Sequence, residues 1–183
     1  MVVPYWDLRN IWLRSGIILS FSDPEFSLKQ LDQSRLDALS QQARQSPRRR
    51  ANHNLHPELA DPIQRLAIAM EPGTVVLPHR HPHTFELLFP LRGRFLVLHF
   101  DDGGRVTGRS VLGEGASVLE NPAGTWHAVL SLDEGGVIFE VKHGPYVPVA
   151  EGDYAPWTKG WEEGELLAWY AAAAVGDALA PAN

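Results

Sequence analysis

Three histidines and a glutamate in the middle of the chain could bind a metal ion. His79 and His81 are two residues apart, so on an extended strand both would project to the same face with their ring nitrogens close together. Pro82 interrupts this strand, and a hairpin return could bring Glu86 opposite the pair. His127 follows a Pro-Gly turn at the start of a later strand and is a fourth candidate.

This donor set predicts the class of metal. Three neutral imidazoles and one carboxylate suit a divalent transition metal (Zn, Fe, Mn, Ni, Co or Cu), whereas Ca and Mg prefer oxygen ligands. Four protein ligands also leave positions open on a metal that accepts five or six, so a substrate or O₂ could bind there. The sequence does not choose among these metals.

The segments around these residues predict an all-β fold. From about residue 62 to 142, short β-rich runs such as FELLF, RFLVLHF and GVIFEVK are separated by EPG, RG, DDGG, NPAG and DEGG. Short strands with regular turn signals are typical of a sandwich or barrel. TVVL at 74–77 is one of the predicted strands, and DDGG at 101–104 predicts a hairpin. Gly73 and Gly93 are expected to end hairpins at positive φ.

Helices are predicted on both sides of the β region. Residues 27–46 place Leu28, Leu31, Leu36, Leu39 and Ala43 at helical spacing. The segment WEEGELLAWYAAAAVGDALA predicts a C-terminal helix, whose Leu166, Leu167, Tyr170 and Ala174 face could pack on the barrel or on a second subunit. We expect it to pack on its own barrel. The predicted division is an N-terminal extension (1–26), a helix and loop (27–61), a barrel with its C-terminal loop (62–160) and a helix or tail (161–183).

Composition narrows the classes of partner. The chain has 183 residues, enough for one domain with a proper core, and a net charge of −6. A nucleic-acid or anionic-membrane partner is therefore not expected. No apolar run approaches the ~18–20 residues of a membrane span. The chain has no cysteine, which excludes disulfides and thiolate sites and suits the cytoplasm.

The N-terminal stretch bears on the oligomeric state. Trp6, Trp12, Leu13, Ile17 and Ile18 make it more apolar than a monomer would usually expose. It either packs on its own barrel or joins a dimer, and we expect a homodimer. Asp7, Arg9 and Arg14 interrupt it, so it is a poor signal peptide.

The spacing of glycines, prolines and ligands resembles the two cupin motifs. Gly73-x5-His79-x-His81-x4-Glu86-x6-Gly93 matches the first, G-x5-H-x-H-x(3–4)-E-x6-G, at every fixed position. Gly115, Pro122, Gly124 and His127 match the second, G-x5-P-x-G-x2-H-x3-N, with two departures. Six residues separate Gly115 from Pro122, and Ser131 stands where asparagine is usual.

Further segments resemble the WbuC family of cupin fold metalloproteins over about residues 27–160. They are RRRANHNLH, DPIQRL, EPGT, PHRH, FDDGGRV, GTWH, FEVKHGPY and DYAPW. The resemblance implies a cupin double-stranded β-helix with a metal on His79, His81, Glu86 and His127. It also implies an association with bacterial polysaccharide (O-antigen) gene clusters, but no particular reaction.

The flanking residues suggest further roles. His56, Lys142 or Tyr146 could supply a general acid or base near the metal. Asn54 could fold over the barrel mouth, and Arg65 could bind an anionic substrate group or simply pair with Asp61 or Glu140. His53, His99 and His143 are interpreted as ordinary surface residues.

Three functions remain open at this point. The first is a metal-dependent isomerase or epimerase acting on a small sugar or nucleotide sugar. The second is an Fe(II)-dependent oxygenase with the same ligands. The third is a non-catalytic module that binds a sugar or effector, because cupin barrels host both enzymes and non-enzymes.

Overall fold

The computed structural model describes residues 28–182. The two α-helices are α1 (Gln33–Gln45) and α2 (Glu163–Ala172). The strands are β1 (Arg50–Asn54), β2 (Ile63–Met70), β3 (Glu86–Arg92), β4 (Phe95–Phe100), β5 (Val106–Leu112), β6 (Leu119–Asn121), β7 (Trp126–Ser131) and β8 (Gly136–His143). None of the helices in this range is long and apolar enough to cross a membrane.

Two antiparallel sheets form the body of the fold. The five-stranded sheet has the order β1-β2-β8-β3-β6, and the three-stranded sheet has the order β5-β4-β7. Their facing residues form a shared core, in which Leu88 and Ile138 of the larger sheet pack with Phe95, Val97 and Val129 of the smaller one. The predicted all-β double-stranded β-helix, with one helix before the barrel and one after it, is confirmed.

Helix α1 covers one end of the larger sheet. It begins after Asp32, whose side chain accepts a hydrogen bond from the Arg35 N–H at 2.8 Å, and so it starts six residues later than residue 27. Leu28 lies outside the helix and is 83% exposed, so its place on the predicted helical face is wrong. Leu36 and Ala43 pack with residues of β2 and β8.

The three-stranded sheet is covered on both faces. Alternate residues of β4 are buried on opposite faces of the sheet. Phe95 and Val97 face the other sheet. Leu96, Leu98 and Phe100 face outward. Helix α2 packs on this outer face through Leu166 and Tyr170. Because both faces of β4 are buried, its sequence is a nearly continuous run of apolar residues.

The packing of α2 corrects one residue of the predicted face. Ala174 is exposed, and Ala173 is buried instead. The reason is that α2 ends at Ala172, so the helical spacing does not extend to Ala174.

The turns differ in part from prediction. Residues 101–105 join β4 to β5 as a hairpin, as expected, with the Asp101 carboxylate accepting from the Gly103 N–H at 2.9 Å. Gly93 has a φ of 73°, as predicted, but it joins β3 to β4 across the two sheets and ends no hairpin. The predicted strand at 74–77 is wrong, because this segment has no ladder partner.

The described residues cover only part of the predicted division of the chain into segments. Residues 31–183 fall into one unit, which holds both helices and all eight strands within its described residues. The proposed extension at 1–26 and its apolar dimer stretch lie outside the described residues. The boundaries at 61 and 160 stay predictions.

The packing of α2 predicts the effect of truncating its buried face. Leu166 is 1% exposed, so Leu166→Ala should lower the free energy of unfolding by about 2–5 kcal/mol through lost contacts and a cavity. Val175→Ala is the control, because Val175 is 63% exposed just beyond the helix and should change stability by less than about 0.5 kcal/mol. Urea denaturation of both variants measures the difference. Equal losses would show that α2 does not pack on this sheet in solution.

Candidate metal centre

Four side chains converge between the two sheets. The donor atoms of His79, His81, Glu86 and His127 all lie within 4.8 Å of one another. Glu86 is the first residue of β3 in the larger sheet, and His127 lies on β7 in the smaller one. The fold therefore brings together residues that are up to 48 positions apart in sequence, from His79 to His127.

His79 and His81 do not lie on a regular strand. His79 forms an isolated bridge with His127, in which each backbone N–H donates to the other's carbonyl at 3.0 and 2.9 Å. Glu86 pairs with Asn121 and Lys142 rather than across a hairpin from the histidines, and it reaches them with its side chain. The expected hairpin return is therefore wrong, although Glu86 does lie next to the two histidines.

Hydrogen bonds orient two of the imidazoles. Nδ1 of His79 lies 2.9 Å from the Leu77 carbonyl oxygen, and Nδ1 of His127 lies 2.9 Å from the Thr125 carbonyl oxygen. A carbonyl can only accept, so each Nδ1 carries a proton, and Nε2 presents a lone pair when the ring is neutral. This backbone clamp is the arrangement that holds metal-ligating histidines in one tautomer.

Within residues 28–182, the Nε2 atoms of His81 and His127 have no hydrogen-bond partner although both atoms are buried. They lie 3.3 and 3.0 Å from the two Glu86 carboxylate oxygens, but not in hydrogen-bond geometry. Buried polar atoms almost always have partners, so unpartnered nitrogens that converge with a carboxylate need an explanation. A divalent transition metal fits, because it would accept these lone pairs.

Electrostatics favour the metal-binding forms of His79 and Glu86, whereas they favour the protonated form of His127. Burial lowers the pKa of His79 to about 4, so its imidazole is neutral at neutral pH. Burial acts to raise the pKa of Glu86, but His127 and Lys142 outweigh it and hold this pKa well below its ordinary value. Burial acts to lower the pKa of His127, and the Glu86 carboxylate outweighs it and raises this pKa.

Asn121 and His99 support the Glu86 carboxylate. Nδ2 of Asn121 donates to Glu86 Oε2 at 3.1 Å, and Oδ1 of Asn121 accepts from His99 Nε2 at 2.7 Å. His99 is therefore partly buried in this network, and its interpretation as a surface residue is wrong. Asn121 was missed by sequence reasoning; the available signal was a polar residue directly before the Pro-Gly turn that leads to His127.

A buried ion pair lies beside Glu86 on β8. Lys142 Nζ is 2.7 Å from Glu140 Oε1 and 3.6 Å from Glu86 Oε1. Burial and the Glu86 charge raise the pKa of Glu140 to about 7. Burial acts to lower the pKa of Lys142, but Glu140 and Glu86 outweigh it and raise this pKa.

A cavity of about 480 Å³ opens onto His79, His81 and Glu86. This volume lies within the usual range for small-molecule sites. Glu140, Lys142 and Tyr146 also line it, and Tyr146 is 48% exposed. The remaining wall is mostly apolar and consists of Leu66, Ile68, Met70, Val75, Val76, Leu77, Leu88, Val129, Ile138, Val147, Pro148 and Val149, with Arg50, Asn52 and Tyr154 as its other polar members.

Three of the residues predicted to contact the substrate or transfer protons do not line this cavity. Leu66 and Ile68 of β2 face it, so Arg65 points to the other side of the sheet, where its guanidinium is 3.0 Å from the Asp61 carboxylate. His56 is buried and its Nδ1 accepts from the Arg65 N–H at 3.0 Å. Asn54 is exposed at the end of β1. Of the predicted acid/base candidates, only Lys142 and Tyr146 face the cavity.

Comparison with known proteins adds a partial family match. A family described as a domain of unknown function (DUF6016) matches residues 31–112, which is less than half of the chain. No curated protein matches the sequence.

Several solved structures resemble parts of the fold at low identity. KdgF from Halomonas sp. is 16% identical over 54% of this chain and 81% of its own, with a TM-score of 0.44. TT1209 from Thermus thermophilus is 20% identical over 63% and 97%, with a TM-score of 0.48. A sugar phosphate isomerase of the cupin superfamily from Silicibacter pomeroyi is 18% identical over 52% and 59%, with a TM-score of 0.42.

The donor set predicts metal binding that depends on each ligand. Protein freed of metal and titrated with Zn²⁺ or Co²⁺ should bind about one ion per chain and gain about 2.7 kcal/mol of stability at a hundredfold excess over Kd. Glu86→Ala and His127→Ala should abolish both effects. His83→Ala is the control, because His83 lies in the exposed turn after Pro82 and should bind like the wild type. Calorimetry and thermal unfolding measure the two effects, and wild-type binding by His127→Ala would contradict the assignment.

The hydrogen bond to Glu86 predicts a separate effect of Asn121. Asn121→Ala leaves the four donors in place but frees the carboxylate to rotate, so metal affinity should fall about 10- to 100-fold. Glu120→Gln changes the exposed neighbouring residue of β6 and should bind normally. Competition with a colorimetric chelator measures both affinities; unchanged affinity in Asn121→Ala would remove Asn121 from the site.

Proposed function

We propose that the chain is a metal-dependent enzyme that acts on a small polar molecule by isomerase- or epimerase-type proton transfer. The observation that carries this proposal is the buried cluster of three histidines and one glutamate at the edge of a 480 Å³ cavity. A metal that only stapled the fold would need no such opening. His79, His81, Glu86 and His127 would hold one divalent transition metal, which would supply Lewis-acid polarisation of a substrate carbonyl.

The chain's own residues can supply the proton transfers. Isomerisation next to a carbonyl needs one group to take a proton from carbon and a group to return it. The carboxylate of Glu140 and the ammonium of Lys142 both line the cavity, 2.7 Å apart. We assign Glu140 as the base and Lys142 as the donor to the developing oxyanion.

Tyr146 and the apolar wall complete this arrangement. Tyr146 lies at the exposed side of the cavity, so its hydroxyl can bind substrate or exchange a proton with solvent. Val129, Ile138 and Leu88 exclude water from the inner wall. Excluding water strengthens each electrostatic contact between substrate and these side chains.

The biological setting is proposed on the resemblance to the WbuC family alone. It makes the substrate a sugar or nucleotide-sugar intermediate of bacterial surface polysaccharide synthesis. A homodimer is proposed separately, on the apolar N-terminal stretch of the sequence. The cysteine-free composition is compatible with the bacterial cytoplasm.

Solvent isotope exchange tests the proposed reaction class. Metal-loaded protein incubated in D₂O with a panel of reducing sugars and of nucleotide sugars that carry a keto group should place deuterium on the carbon next to the carbonyl, which NMR detects. Lys142→Met should lower the exchange rate by about 10²- to 10⁴-fold while its metal content stays normal. Tyr146→Phe is the milder comparison, because it removes only the hydroxyl.

The same assay separates the competing functions. Consumption of O₂ with the iron-loaded protein, without deuterium exchange, would favour the oxygenase. Retained sugar binding with neither exchange nor product would favour the non-catalytic module. Either result would overturn the isomerase proposal.

A further inference from the structure

Arg50 faces the cavity from the edge strand of the larger sheet. It pairs with Met70 across the β1–β2 ladder, and residues directly opposite each other in an antiparallel ladder share a face. Met70 lines the cavity, and so do Arg50 and Asn52, which follows two residues later on the same face of β1. Sequence reasoning chose Arg65 for an anionic group, but Arg65 points away from the cavity.

The Arg50 guanidinium has no hydrogen bond or salt bridge among residues 28–182, although Glu140 is close enough to act on its charge. Seven of the other ten arginines in this range have partners: Arg44, Arg65, Arg80, Arg92 and Arg94 pair with carboxylates, and Arg105 and Arg109 donate to backbone carbonyls. The remaining three, Arg35, Arg48 and Arg49, are exposed. Arg50 is half-buried beside apolar side chains, and burial together with Arg48 lowers its pKa. A half-buried guanidinium without a hydrogen-bond acceptor is costly and calls for a partner.

The charges around the cavity also favour an anion. Its lining holds two cations, Arg50 and Lys142, and two carboxylates, Glu86 and Glu140. Lys142 is already bonded to Glu140, so Arg50 is the uncommitted cation of the lining. A divalent ion on the histidine cluster would make the cavity positive within a chain of net charge −6. Such a local positive field attracts anionic ligands.

We infer that Arg50, assisted by Asn52, binds a phosphate or carboxylate group of the substrate. The metal ligands and the guanidinium then line different parts of the cavity, because Arg50 lies on the edge strand β1 and Glu86 on β3, with β2 and β8 between them. A substrate that fits both carries oxygens for the metal and an anionic group away from them, as phosphorylated and acidic sugars do. Guanidinium binds both kinds of anion through paired N–H donors. This inference rests on the proposed function for the metal end, but the anion subsite can be tested alone.

Calorimetry with four probes tests the subsite. Glucose 6-phosphate, gluconate and inorganic phosphate are the anions, and glucose is the neutral comparison; each is titrated into metal-loaded and metal-free protein. The anions should bind the wild type at least about tenfold more tightly than glucose does. Arg50→Gln should weaken their binding about 10- to 100-fold, and Arg50→Lys by less, because it keeps the charge but loses the paired donors.

Two arginine variants serve as controls. Arg48→Gln removes the same charge from an exposed position two residues away that does not line the cavity, so it corrects for long-range electrostatics. Arg65→Gln tests the position that the sequence suggested. Both should bind the anions like the wild type, and circular dichroism and metal content should be unchanged in Arg50→Gln.

The outcomes separate this inference from the proposed function. Equal binding of glucose and the anions, wild-type affinity in Arg50→Gln, or no anion binding up to about 10 mM would each overturn the subsite. Arg50-dependent binding that persists in Glu86→Ala, together with no deuterium exchange on any sugar, would keep the subsite and reject the enzyme. A preference for glucose 6-phosphate over gluconate would identify the group as phosphate, and the reverse would identify it as carboxylate.

Discussion

The ionised carboxylate of Glu86, buried between the two sheets, is the constraint around which the site is organised. A buried charge is costly unless it is paired and hydrogen-bonded, and Glu86 is 4% exposed. Its oxygens meet His81 from the irregular segment, His127 from the opposite sheet, and Asn121 and Lys142 from the neighbouring strands. Each compensating group comes from a different element, so the carboxylate is compensated only when the whole sandwich is closed.

The surrounding packing keeps the elements that meet at Glu86 rigid. The smaller sheet is buried on its inner face by the larger sheet and on its outer face by α2, so the strand that carries His127 has little freedom to move. Backbone carbonyls of Leu77 and Thr125 then hold the rings of His79 and His127. Preorganised ligands lose little conformational freedom when they bind, which favours tight and selective coordination.

The cavity combines two kinds of electrostatic environment. At the histidine end, the Glu86 charge is shared among cationic and polar neighbours, and Lys142 is engaged by Glu140. On the β1 side, Arg50 stands among apolar residues without an acceptor in the described part of the chain. The two sides of the cavity therefore differ in charge and polarity, unlike those of a cavity lined by a symmetric ring of polar residues. A ligand with chemically distinct ends would therefore bind in one orientation.

Local pattern in the sequence was enough for the fold class, both helices and the DDGG hairpin, whereas the four residues that converge at the centre were predicted from their spacing in the two cupin motifs. Strand periodicity, turn residues and helical spacing act over a few residues, so they can be read without knowing long-range contacts. Cross-strand register was decided only in the folded chain. It turned Arg65 outward and Arg50 inward, placed Asn121 and His99 behind Glu86, and left residues 74–77 without a ladder partner. The physical reason is that β2 carries apolar residues on both faces, Ala67 and Ala69 on one and Leu66 and Ile68 on the other, so its pattern does not show which face lines the cavity until β2 pairs with distant strands.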